Sequence, residues 1–189
     1  MPTAVSRSSI STPRFPALSE LFIRGVMVQP SDIVPGVRWT IHTVHTDDRG
    51  SLAEAAVDST LQLLTGQHIR QVNASVSKTG VLRGMHYHRY QTDAWYVAQG
   101  TAEVKVATED LQSDSRILFP GHGVIIPPNV GHGFLAMTDL VLIYAVTKEF
   151  DPVGPDEYTY EAEAHQWSLP PEEWVRSKRD ADASWRAND

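Results

Sequence analysis

Residues 81–100 read VLRGMHYHRYQTDAWYVAQG. His86 and His88 stand two apart, Asp93 follows five residues after the second, and Gly100 comes seven residues later. In a β-strand the side-chain period of two turns Leu82, Gly84, His86 and His88 to one face. Two imidazoles side by side serve as metal ligands, or one is a proton-transfer base and the other a binding group. Most of what the chain does depends on which.

Outward from that stretch, the chain from about Trp39 to Thr147 is a series of short β-type segments. They are WTIHTV (39–44), HIRQVNASVS (68–77), VLRGMHYH (81–88), AWYVAQG (94–100), AEVKVAT (102–108), RILF (116–119), GVIIP (123–127) and LVLIYAVT (140–147). Turn residues separate them at Thr79-Gly80, Gly100-Thr101, Pro120-Gly121 and Pro127 to Gly131. Helical periodicity is weak throughout this region. About eight strands punctuated at roughly 8 to 12 residue intervals predict an all-β fold, with a double-sheet jelly roll as the leading architecture. Within 69–76, Val72, Ala74 and Val76 share one face and Gln71, Asn73 and Ser75 the other, so the polar face either meets water or lines a pocket.

Residues 1–20 are rich in Ser, Thr and Pro with scattered arginines, the composition of a flexible arm. The remainder, 21–189, is expected to form one jelly-roll domain. From Pro170 onward, prolines and two acids precede basic residues, which suits a short C-terminal helical segment.

The 189 residues are 41% hydrophobic and 21% charged, with a formal net charge of −7 and no cysteine. No apolar run approaches the roughly 18 residues of a membrane span. The acidic balance, with no basic cluster, weighs against nucleic acid or anionic lipid as partners. Without cysteine there is neither a disulfide framework nor a thiolate metal site. The first residues lack a charged head followed by an apolar segment, so no secretory signal is read and the cytoplasm is the expected location.

His86, His88, Asp93, Gly100 and, after Pro127-Pro128-Asn129, His132 resemble the outline of the metal-binding cupins. Three imidazoles and a carboxylate suit iron, manganese, nickel or zinc better than calcium or magnesium. Asp93 stands where that outline has the longer Glu, and Asn129 where it has glycine. The alternative is that these histidines are hydrogen-bonding groups of a metal-free pocket.

Over residues 40 to 181 the chain resembles the dTDP-4-dehydrorhamnose 3,5-epimerase family, a metal-independent branch of the cupin-like jelly rolls. The resemblance rests on five ordered elements: Asp48-Arg49-Gly50 with Glu54; Gln71, Asn73 and Ser75; Gly80 to Tyr87; Ile126-Pro127 with His132-Gly133-Phe134; and Tyr144 to Pro152. A shorter match, Ser177-Lys178-Arg179-Asp180, follows near the C-terminus. It implies an isomerase that exchanges a proton next to the ketone of a 4-keto-6-deoxy nucleotide sugar, in deoxysugar or natural-product biosynthesis. No metal or other cofactor is implied, and a homodimer is.

The same resemblance assigns roles. His86 is the base, Asp180 its orienting partner and Tyr144 the acid on the opposite face. Arg49, Glu54, Gln71, Asn73, Arg83, His88, Asp93 and His132 are expected to bind substrate. Imidazole suits the first task because its ordinary pKa lies near neutrality, and a carboxylate on its far nitrogen fixes the tautomer. The departures concentrate in the binding residues: Asp93 replaces a lysine, His88 a glutamine, Leu52 an aromatic and Glu149 a tyrosine. An anion at 93 repels an enolate or a diphosphate unless it is protonated, paired or metal-bound.

Plainer readings exist for several of these residues. Tyr144 alternates with Leu142 and Val146 and suits a core tyrosine, Asp180 an ordinary polar helix face, and the Arg49-Gly50 turn a solvated strand end. Two rival functions follow. One is a metal-dependent cupin enzyme with His86, His88, Asp93 and His132 as ligands, acting on a small non-nucleotide substrate; the other is a non-catalytic binding protein on the same fold.

Overall fold

The computed structural model describes residues 21–159 and 165–181, and the arm expected over 1–20 lies outside them. Two antiparallel sheets face each other. The chain enters with β1 (Leu21–Ile23), β2 (Val26–Pro30) and β3 (Arg38–His42), then makes a separate hairpin of β4 (Val44–Asp47) and β5 (Gly50–Ala53). A helix, α1 (Asp58–Thr65), precedes β6 (Gln71–Ser77), β7 (Leu82–Tyr87), β8 (Asp93–Gln99) and β9 (Ala102–Ala107). Then come β10 (Ser113–Leu118), β11 (His122–Ile126), β12 (Gly131–Ala136), β13 (Leu140–Val146) and the short β14 (Tyr158–Thr159). The larger sheet runs β1-β2-β3-β11-β8-β13-β6 and the smaller β10-β9-β12-β7-β14. This is the double-sheet jelly roll expected from the strand pattern.

Between the sheets lie Val97, Val104, Val106, Val124, Ile126, Phe134 and Leu142, all buried. Fully burying side chains of this size contributes roughly 1.5–3 kcal/mol each. A second, smaller cluster forms on the outer face of the five-stranded sheet, where Leu82, Met85 and Leu135 pack under Trp167. That cluster secures the C-terminal segment. The backbone N–H of Ser168 donates to Glu103 (2.8 Å), and the bound Glu103 carboxylate pairs with Lys105 at 3.0 Å. Further on, Val175 bridges Val81, which brings α2 (Lys178–Ala181) alongside β7.

Three local expectations are corrected. The helix α1 was not foreseen, because it spans two turns and buries only Thr60 and Leu61, too little to impose a visible period. It ends where Gly66 takes φ 76° and its N–H caps the Gln62 carbonyl. Second, Leu82 and His86 do not share a face. Opposite β12, His132 pairs His86 and Gly133 pairs Gly84, so Met85 is an extra residue. The bulge inverts the alternation: Leu82 and Met85 face the Trp167 cluster, whereas Arg83 and His86 face the space between the sheets. Third, Gly131–Ala136 is a central, wholly buried strand that is absent from the eight segments, and Gly131, read as the end of the Pro127 turn, is its first residue.

The polar face of β6 is the one that lines a pocket. Gln71, Asn73 and Ser75 are half-buried, while Val72 and Val76 are 57% and 69% exposed.

Candidate active site

Both sheets contribute to a cavity of about 380 Å³ that opens at one end of the roll. From the five-stranded sheet come Arg83, Gly84 and His86 of β7 and Phe134 of β12, with His132 beside them. The larger sheet supplies Gln71, Asn73 and Ser75 of β6, Asp93 and Trp95 of β8, and Leu142, Tyr144 and Val146 of β13. Loop residues 148–157 form part of the wall, and Asp180 closes it from α2.

The floor is a packed group of imidazoles. His86 and His132 rings lie 4.5 Å apart, centroid to centroid, and each is 5.2 Å from His88. One nitrogen from each ring lies within 4.8 Å of the others, so the three could hold a metal ion. His132 is held by register and by its Nδ1, which donates to the Val130 carbonyl at 2.8 Å. Burial pushes its pKa down to about 4, against the opposing pull of the Asp93 charge, so the ring is neutral near pH 7. His88 follows the end of β7, and its Nδ1 donates to the Asp156 carbonyl.

Asp93 is 3% exposed and faces both rings, with Oδ1 3.8 Å from His88 Nε2 and Oδ2 3.9 Å from His132 Nε2. It accepts hydrogen bonds from Gln91 Nε2 (2.7 Å) and Trp95 Nε1 (3.0 Å). Those donors compensate part of the cost of burying a carboxylate.

Asp156 ties the mouth together. Its carboxylate accepts from the backbone N–H groups of Arg89 (2.9 Å), Tyr90 (3.0 Å) and Gln91 (3.2 Å), so the loop after His88 is clamped to the loop before β14. Gln71 Oε1 likewise receives the Phe150 N–H at 3.0 Å.

Nine of the eleven residues singled out from sequence gather here: His86, Tyr144, Asp180, Gln71, Asn73, Arg83, His88, Asp93 and His132. Arg49 and Glu54 do not. Arg49 sits on the β4–β5 hairpin, its side chain 90% exposed and bonded to Asp47, and Glu54 borders a different, small cavity near α1. Sequence reasoning missed Lys148, a second cation on the cavity wall. The signal was available, since Leu142, Tyr144, Val146 and Lys148 continue one period-two face past the end of β13.

The chain matches the family model of dTDP-4-dehydrorhamnose 3,5-epimerase over residues 32–187. It is 34% identical to the spore coat polysaccharide biosynthesis protein SpsL of Bacillus subtilis over 137 residues, 66% of this chain and 87% of that protein. With dTDP-4-dehydrorhamnose 3,5-epimerase of Mycobacterium tuberculosis it shares 30% identity over 133 residues, 63% of this chain and 66% of that protein. The solved structure of the Mycobacterium tuberculosis rmlC epimerase superposes with a TM-score of 0.69 at 29% identity, covering 82% of this chain and 85% of that one. Matched over most of its length, and carrying the shared fold around a histidine-lined cavity, the chain belongs to the dTDP-4-dehydrorhamnose 3,5-epimerase family.

Proposed function

We propose that the protein is an epimerase that exchanges a proton on carbon next to the ketone of a 4-keto-6-deoxy nucleotide sugar, in carbohydrate biosynthesis. The observation that carries this reading is the placement of His86 and Tyr144 on opposing sheets across one cavity. A planar enolate held between them loses its proton to one wall and regains it from the other, which inverts the carbon.

In this scheme His86 takes the proton, and Asp180 beside the same cavity orients the imidazole and favours its charged form. Tyr144 donates to the opposite face. Arg83 and Lys148 both line the cavity, and positive charge in a partly dehydrated site is what a developing enolate oxygen requires. Incubation with a dTDP-4-keto-6-deoxy sugar in deuterated water tests the scheme: deuterium should enter at a carbon flanking the ketone, and its absence at both flanking carbons would sink it.

A homodimer and a cytoplasmic location belong to the same proposal. Arg49 and Leu52, 71% exposed, project on a hairpin remote from their own chain's cavity, a shape suited to serving the cavity of a second copy. Mass measured in solution at twice the chain mass supports this; a monomer at assay concentration contradicts it.

A further inference from the structure

We propose that the cavity also binds one divalent first-row transition ion on His86, His88 and His132, and that this ion and the proton-transfer reaction compete for His86. The second half rests on the proposed epimerisation; the first does not.

Two of the rings are already set as ligands. A backbone carbonyl only accepts, so the Nδ1 atoms of His88 and His132, bonded to the carbonyls of Asp156 and Val130, must carry the protons. Each Nε2 is therefore left with its lone pair directed into the cluster, which is how metal-bound imidazoles are oriented by their neighbours. His132 Nε2 is buried and has no hydrogen-bond partner among the described residues, although the site around it is polar. A neutral imidazole nitrogen with its lone pair turned into a polar cluster is the form in which histidine binds a metal ion.

The spacing is within reach. Zinc–nitrogen bonds of about 2.0–2.1 Å in a tetrahedral site place ligand nitrogens about 3.3 Å apart. The three rings offer nitrogens within 4.8 Å of one another, a gap that small side-chain rotations close.

The charge also fits. Asp93 is 3% exposed, and among the described residues the ionisable groups within ion-pair distance of it are His88 and His132 rather than a lysine or arginine. Asp93 Oδ1 and Oδ2 lie 3.8 and 3.9 Å from the Nε2 atoms of His88 and His132, so an ion held on those two atoms brings positive charge beside the buried carboxylate. Imidazole donors select zinc, iron, nickel or copper over magnesium, which prefers oxygen. Once His86 is a ligand, its lone pair is not available to a carbon acid.

The test uses untagged full-length protein stripped with chelator and dialysed. It is titrated calorimetrically with Zn²⁺ and, separately, Mg²⁺, and its metal content is measured after gel filtration. One zinc per chain and no magnesium is the expected result. His88→Ala and His132→Asn should each weaken zinc binding about 100-fold or more, taking outer-neighbour losses of 10–100-fold as the floor. His68→Ala, at the exposed Asp58 pair, should retain one equivalent.

Because a buried substitution can unfold the chain, thermal melting is read alongside: zinc should raise the wild-type Tm and leave that of a cooperatively melting His88→Ala unchanged. Stripped wild type that takes up no zinc, or zinc binding undiminished in His88→Ala, overturns the site. Turnover that falls in proportion to zinc bound supports the competition, and full turnover with one zinc per chain overturns it. Stripped protein that binds zinc but shows no turnover on any keto sugar counts against the epimerisation while upholding the site.

Discussion

A Cβ on Gly84 would lie 2.7 Å from the carbonyl oxygen of His132, and 2.9 Å from the Cα of Gly133. Both obstacles are backbone of the neighbouring strand, so neither can swing aside. Gly84 also has φ +97°, in the range that disfavours any side chain. This contact places the bulge that turns His86 toward the cavity. Gly84→Ala should cost about 2–4 kcal/mol of stability, as overpacking and a strained backbone together do. Urea unfolding measures it, and a loss under 1 kcal/mol would mean that the strands separate more easily than the register implies.

Acid should destabilise the fold in a defined window. His132 has its pKa pushed down to about 4, below its ordinary 6.5, chiefly by burial. Below pH 6.5 the unfolded chain therefore takes up a proton that the folded chain refuses, and stability present at pH 7 drains away as pH falls toward 4. The full effect of this one ring is about 3 kcal/mol. Burial lowers His42, His122 and His165 in the same direction. Denaturant melts between pH 7 and 4.5, with chelator present, should show the loss, and His132→Asn should flatten its slope.

Asp156→Ala removes an acceptor shared by three backbone N–H groups of the loop after His88. The expected result is a stability loss of about 1–3 kcal/mol, since hydrogen bonds to charged groups sit at the strong end of the range. KM should rise more than kcat falls, because the loop shapes the mouth and carries no reacting group. Steady-state kinetics on the keto sugar resolve the two, and a pure kcat effect would argue for a direct role in the chemistry.

His86→Asn and Tyr144→Phe should fail differently. Loss of the base removes both isotope exchange and inversion, lowering turnover by about 10²–10⁴-fold. Loss of the acid leaves His86 able to remove and return a proton on its own face. Tyr144→Phe is therefore expected to wash deuterium into the substrate with little inversion, measured by NMR of the recovered sugar. Equal loss of exchange in both variants would place Tyr144 in binding instead.

Much of the fold was legible because β-strands announce themselves locally. The segments around Trp39, Val97, Val104, Ile125 and Leu142 carry alternating or continuous apolar runs between Gly and Pro, and each became a strand of the two sheets. What was not legible depended on contacts far along the chain. Gly131–Ala136 has turn-like composition, yet it is buried between β7 and β9 because both neighbours supply its backbone partners. Likewise α1 forms because Asp58 receives the Ile69 N–H at 2.8 Å and Leu61 finds a buried place, not because its eight residues have a strong period.

For the site, the order of residue types along the chain was sufficient to pick out His86, His88, Asp93, His132, Tyr144 and Asp180, since local motifs survive as strings. Strand period alone then placed Gln71, Asn73 and Ser75 on one face, and carried past β13 it reaches Lys148. Which way each face points was decided only by the tertiary structure. A bulge shifts alternation by one residue, and nothing within HYH records that Met85 has no partner across the ladder. The tautomers of His88 and His132 are also set from outside, by carbonyls of Asp156 and Val130. Sequence determines which groups are present; the direction of a lone pair depends on what the folded chain brings to the other side of the ring.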